Sequence, residues 1–182
     1  RMVDVERIKN FAKERELFVI EDSAQAFYSR NELGFAGTQA DLGTFSFGMT
    51  KLISTGQGGV VITKSKDLYQ KLQLIRNHGV ELGKTHESEY TMLGCNFKYT
   101  DIQATLGLEQ VARLPEKVAR VNEIYAKYLD ALEGLPFIEI LPVKFKEGEV
   151  ALWTEVLSKD REQLMTFLAS HCIHTEKFLP SL

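Results

Sequence analysis

The join between residues 4–15 and the apolar run behind them constrains this chain most. Val5, Ile8, Phe11 and Ala12 recur at helical spacing behind Asp4, a suitable N-cap, so a helix is expected from residue 4 to about residue 15. Residues 17–20 follow directly as a short continuous apolar run, expected to be a buried strand. A helix that feeds at once into a buried strand is the rhythm of a parallel α/β sheet. The strand ends in Glu21-Asp22, and in open α/β sheets ligands collect beyond the carboxyl ends of the strands.

The same grammar continues. A loop with Gly34 and Gly37 leads to a second buried strand at 42–47, followed by Lys51, the cluster Gly56-Gln57-Gly58-Gly59 and a strand at 60–63. Ser65 caps an expected helix through Asn77 with Leu68, Leu72 and Ile75 on one face, and Gly79 ends it. The stretch 80–95 reads as polar and irregular. Thr100 and Gln103 have the spacing of a capping box ahead of a helix to about Leu114. Pro115 then opens a long helix with Val118, Val121, Tyr125, Tyr128 and Leu132 inward and Gly134 as its stop. Strands at 138–141 and 151–157 and a helix from Asp160, with Leu164, Phe167 and Leu168 on its buried face, complete the chain. This tail is α+β, unlike the front half. A boundary is therefore expected near residue 134, between a unit at 1–134 and a partial unit at 135–182.

Composition narrows the function classes. A net charge of -3 gives no reason to expect nucleic-acid binding. No apolar run approaches the roughly 18 residues that span a bilayer, so no membrane role is expected. Cys95 and Cys172 lie far apart in no metal-binding spacing, which suits a reduced, cytoplasmic setting. The chain starts with Arg rather than Met, directly ahead of the first expected helix, and stops at Leu182 without a closing element. It is expected to be an internal piece of a longer protein.

Two segments suggest chemistry. In the first, Val19-Ile20-Glu21-Asp22-Ser23-Ala24-Gln25-Ala26, a carboxylate stands at a strand end. A lone Asp there more often caps the next turn than acts on a ligand. The second, Ser46-Phe47-Gly48-Met49-Thr50-Lys51, places a hydroxyl and an amine five residues apart after a second buried strand. Lysine is rarely buried unless paired, and a desolvated lysine yields its neutral amine more readily as a nucleophile toward an aldehyde.

With these residues in order, the chain resembles the DegT/DnrJ/EryC1/StrS aminotransferases, the sugar aminotransferases of pyridoxal-phosphate fold type I. The resemblance runs from about residue 4 to the C-terminus. It is carried by the two segments above, with Phe45 before Ser46, and by Thr55-Gly56-Gln57-Gly58-Gly59, Arg76-Asn77-His78-Gly79 and the stretch from Gly94 to Ala104 around Asn96. It implies an α/β fold comprising part of the large mixed-sheet domain and the start of a small α+β domain. It implies pyridoxal 5'-phosphate as cofactor, held by Lys51 as a Schiff base, with Lys51 also the proton shuttle. Asp22 would pair with the pyridine nitrogen, Gln25 with the phenolic oxygen and Ser46 with the phosphate. Asn96 would reach the phosphate of a two-fold partner, so a homodimer is implied. Without the family pattern, Asn96 reads as a loop residue ahead of a helix cap. The implied reaction moves an amino group from glutamate or glutamine onto a nucleotide-linked keto-sugar, in the cytoplasm.

Departures and rival readings also follow from the residues. Gly48 stands where the family often has His or another aromatic, Gln57 where it has Glu, and Lys98-Tyr99 where it has Arg-Met. The Gly56–Gly59 cluster has neither Rossmann nor P-loop spacing and reads as a tight turn. His171, Cys172 and His174 lack a fourth metal ligand, so no metal is expected. His78 reads as fixing its loop, and Trp153 and the tyrosines of the long helix as core. By the resemblance, about the first third of the fold is missing, so the chain alone is expected to bind cofactor weakly and to turn over poorly. A deoxygenating relative would carry His in place of Lys51. The alternative is a non-catalytic regulatory or interaction protein on the same scaffold, which intact Asp22, Gln25, Ser46 and Lys51 disfavour.

Overall fold

The computed structural model describes residues 1–84 and 90–178. Helix α1 spans Val5–Lys13, and the Asp4 carboxylate accepts from the Arg7 N–H at 3.0 Å. Val5 and Ala12 are buried, while Ile8 and Phe11 on the same stripe are exposed. Strand β1 covers Ile20–Asp22, three residues later than expected, and Leu17, Phe18 and Ile20 are exposed rather than buried. The cause is the pairing partner. The run can join the sheet only where β4 at Leu42–Ser46 begins, and β1 pairs with it in parallel from Ile20 opposite Leu42 to Asp22 opposite Thr44.

Between them lies a small hairpin of β2 (Arg30–Asn31) and β3 (Gly34–Phe35). Strand β5, Gly59–Ile62, pairs with β4 in antiparallel fashion, with Ser46 opposite Gly59, so the three-stranded sheet β1-β4-β5 is mixed. Gly43 is required by close approach. A Cβ there would come within 1.8 Å of the Gly37 carbonyl oxygen, so the 36–37 loop lies flush on this face of β4. The neighbouring Phe45 ring packs edge-on to Phe27.

Helix α2, Lys66–Arg76, starts on the Ser65 hydroxyl. The Gly79 N–H closes its end by donating to the Leu74 carbonyl at 2.8 Å. Helix α3, Asp101–Ala112, opens on a complete Thr100–Gln103 capping box. Helix α4, Leu114–Leu132, has Pro115 in its first turn. Of the expected inward residues of α4, Tyr125 is 1% exposed but Tyr128 is 47% exposed. The Tyr125 hydroxyl donates to the Leu141 carbonyl and accepts from the Val143 N–H, tying α4 to the chain beyond it. The expected strands there shrink to β6 (Glu139–Ile140) and β7 (Val156–Leu157), an antiparallel pair, before α5 at Arg161–Ser170.

The main buried cluster is Leu52, Ile53, Leu114 and Val150, with Phe27, Phe47, Val118, Val121 and Leu152 against it. Full burial of a Leu or Ile contributes about 1.5–3 kcal/mol. That burial fixes the loop carrying Leu52 and Ile53. Val150 also brings the late part of the chain onto the sheet domain. Part of the expected irregular stretch, residues 85–89, and the terminal residues 179–182 lie outside the described residues.

Candidate active site

The candidate residues follow the carboxyl ends of the parallel pair β1 and β4. Asp22 is the last residue of β1 and lies level with Thr44 in register. Its Oδ1 accepts from the Ala24 N–H at 3.0 Å and from the Thr44 hydroxyl at 3.5 Å. The carboxylate therefore does cap its own turn, and both hydrogen bonds fall on the same oxygen. Thr44 and Ser46 share a face of β4 by the two-residue period, about 7 Å apart along the strand. Gly43 and Phe45 point to the opposite face, which the 36–37 loop and Phe27 cover.

Ser46 is the final residue of β4, and its Oγ accepts from the Gly48 N–H at 3.2 Å. An acceptor site of that hydroxyl is thus occupied, and its proton can be donated elsewhere. Beyond it the chain forms a loop closed at the neck. The Phe47 N–H donates to the Gly58 carbonyl at 2.8 Å, and the Thr55 N–H and Ser54 hydroxyl both donate to the Phe47 carbonyl. Lys51 sits within this loop, half-buried, and its backbone N–H donates to the Gly48 carbonyl at 3.1 Å. The adjoining Leu52 and Ile53 are 6% and 3% exposed, so core packing holds the backbone next to the amine.

Of the Gly56–Gly59 cluster, expected as a tight turn, residues 56–57 form a bend and Gly59 already opens β5, and the start of α3 clamps the bend. The Gln57 carbonyl accepts from the Thr55 hydroxyl at 2.8 Å and from Gln103 Nε2 at 3.0 Å. Tyr99 packs against Gly58, where a Cβ would lie 2.5 Å from the ring, and its hydroxyl donates to Thr55 Oγ1.

Gln25, three residues past β1, is exposed, and its Oε1 accepts from Trp153 Nε1–H at 2.9 Å. Trp153 is not core as expected; it is 42% exposed and reaches the site from 128 residues away. No local pattern in the sequence announces that contact. Thr44 was also missed, although its spacing from Ser46 on a strand gives a cue. Asn96 forms an isolated antiparallel bridge with Asn77, and its Oδ1 accepts from the Lys98 N–H at 3.4 Å. It shares no hydrogen bond with Asp22, Gln25, Ser46 or Lys51. Among the described residues, no group of three or more His, Cys, Asp or Glu is placed to hold a metal ion, and no helix is long and apolar enough to cross a membrane.

The mixed-sheet fold that carries these residues has close counterparts among solved proteins. Sugar aminotransferase CalS13 from Micromonospora echinospora superposes with a TM-score of 0.87 at 28% identity, covering 96% of this chain and 50% of that one. Helicobacter pylori PseC, an aminotransferase involved in the biosynthesis of pseudoaminic acid, gives 0.85 at 26%, covering 93% and 47%. The fold class is that of the pyridoxal-phosphate-dependent transferases of fold type I. The chain belongs to the DegT/DnrJ/EryC1/StrS aminotransferase family, whose model matches residues 1–182. Among curated relatives, GDP-perosamine synthase of Escherichia coli O157:H7 is 34% identical over 174 residues, 94% of this chain and 47% of that protein. The chain spans about half the length of the curated relatives it matches.

Proposed function

We propose that the protein is a pyridoxal-phosphate-dependent aminotransferase acting on a nucleotide-linked keto-sugar, with glutamate or glutamine as amino donor. The observation that carries this reading is the donor set beyond β1 and β4. Lys51 offers an amine on a loop anchored in the core. Asp22 keeps Oδ2 outside its two existing hydrogen bonds. Ser46 can donate its proton, and Gln25, with Oε1 turned toward Trp153, leaves its Nε2 amide protons to donate elsewhere. An aldehyde, a ring N–H, a phosphate oxygen and a phenolic oxygen are the partners these four groups suit, and pyridoxal phosphate has all four.

The bound cofactor would supply an electron-accepting ring. Around it, Lys51 Nζ would attach to the aldehyde carbon and then carry a proton between substrate and cofactor carbons. The Asp22 carboxylate would hold the ring nitrogen protonated by its negative charge. Ser46 would hold the phosphate, and Asn96, on its exposed loop, would serve the site of a second copy in a homodimer. The division into units at 1–134 and 135–182, with α4 as the connecting helix, belongs to the same reading, as does a cytoplasmic location.

The test uses the full-length polypeptide that carries these residues. Pyridoxal phosphate is added, the adduct is fixed with borohydride, and the labelled peptide is mapped. The label is expected on Lys51 and absent from Lys51→Arg. A label on any other lysine, or none, would sink the reading.

A further inference from the structure

The contact between Trp153 and Gln25 has a chemical direction. A side-chain amide has a donor end and an acceptor end of nearly identical shape, and its rotation by half a turn exchanges them. An indole N–H can only donate. The 2.9 Å bond from Trp153 Nε1 therefore accepts only one of the two amide orientations, with Oε1 toward the indole and Nε2 away from it. Asp22, the last residue of β1, stands three residues before Gln25, so the amide follows closely on the carboxyl end of that strand.

The segment that carries Trp153 is itself fixed to the strand-end loop. The Arg30 N–H donates to the Gly148 carbonyl at 3.0 Å, and the Val150 N–H donates to the fully buried Ser29 hydroxyl at 3.0 Å. Val150 and Ala151 are 4% and 3% exposed, and the Ala151 N–H donates to Asn122 Oδ1 of α4. Trp153 thus extends from an anchored backbone over the tip of the loop that holds Gln25. Gln25 is itself exposed, and among the described residues the indole is the hydrogen-bond partner of its amide.

We infer that Trp153 is a positioning residue that locks the Gln25 amide with its N–H donors toward the cofactor's phenolic oxygen. The inference rests on the proposed function. A donor facing that oxygen stabilises its anionic form, most strongly when the neighbouring imine nitrogen has lost its proton. The protein with Trp153 therefore titrates at lower pH than one in which the amide turns freely.

The test compares the full-length wild type with Trp153→Phe, which keeps an aromatic ring but removes the donor. Both are loaded with pyridoxal phosphate, and the visible band of the bound cofactor is followed against pH. The midpoint is expected to rise by about half a unit in Trp153→Phe, with cofactor affinity weakened about threefold. In a Gln25→Ala background the same substitution should move neither quantity, because the amide it orients is gone. Trp153→His, which retains an N–H donor, should recover part of the shift. A borohydride-stable adduct at Lys51 in both proteins, with superimposable pH curves, would overturn the inference alone. So would an equal shift in the Gln25→Ala background. Absence of the adduct from the wild type would overturn the proposed function and this inference with it.

Discussion

At the scale of single residues, Gly43 and Asp22 show how backbone fit and chemistry meet. Gly43 lets the 36–37 loop lie on β4, leaving the Thr44 and Ser46 face to the site. In Gly43→Ala the added methyl would meet a backbone oxygen, which cannot rotate aside as a flexible side chain can. We expect a loss of about 1–3 kcal/mol, read as a lower midpoint in urea unfolding, and an unchanged midpoint would contradict the close approach. Asp22 shows that the two readings of a strand-end carboxylate do not exclude each other. Its Oδ1 serves the turn, as a strand-end Asp commonly does, and its Oδ2 is left for a further donor. Cap and ligand roles are compatible because a carboxylate has two oxygens. Among the proposed site residues, Lys51 and Ser46 were legible in the sequence because each lies within a few residues of a strand end, and Gln25 only through the family resemblance. Trp153 was not, because its role depends on a contact across most of the chain, and periodicity reports only on neighbours.

At the scale of elements, local signals translated well and pairing signals did not. Thr100 and Gln103 announce α3 because both partners of a capping box lie within one turn. Thr100→Ala should cost about 1 kcal/mol, measurable by denaturant unfolding, and it should also loosen the Gln57 bend that Gln103 holds. The apolar run at 17–20 misplaced β1 because strand limits depend on the partner strand, which offers no pairing before Leu42. The exposed surface of α4 gives a pH signature. Hydrogen bonds from Lys127 and Arg120 lower the Glu123 pKa from 4.5 to about 2. A carboxylate depressed in the folded state contributes stability above its unfolded pKa and loses it as pH falls through the folded value. The difference in unfolding midpoint between wild type and Glu123→Gln should therefore be full above pH 4.5 and largely lost by pH 2. It should also shrink with added salt, since these pairs are exposed. A difference that persisted undiminished at pH 2 would assign it to something other than charge.

At the scale of the whole molecule, the surface is too large for the mass. A folded monomer of 20.6 kDa is expected to expose about 8,900 Å², whereas this chain exposes 13576 Å². Large apolar side chains are among the exposed residues. Leu93, Phe18, Ile102 and Leu108 are 93%, 78%, 77% and 72% exposed, and Val60 and Val61 of β5 also face outward. Helix propensity, caps and strand pairing are satisfied locally, so the elements form, yet the faces they present to one another account for only part of their apolar surface. This explains why expected core positions such as Ile8, Phe11 and Tyr128 are exposed although the helices bearing them are correct. Exposed apolar side chains that gather into patches drive association or dye binding in water. The 182-residue chain made alone is therefore expected to bind a hydrophobic dye strongly and to sediment with a concentration-dependent mass. Its dye signal should fall when Ile102 and Leu108 are both replaced by Glu, which adds charge to α3 without touching the capping box. A compact, dye-silent monomer would show that the exposed faces find partners within the chain itself, and the arrangement of α3 against the sheet would then have to be different.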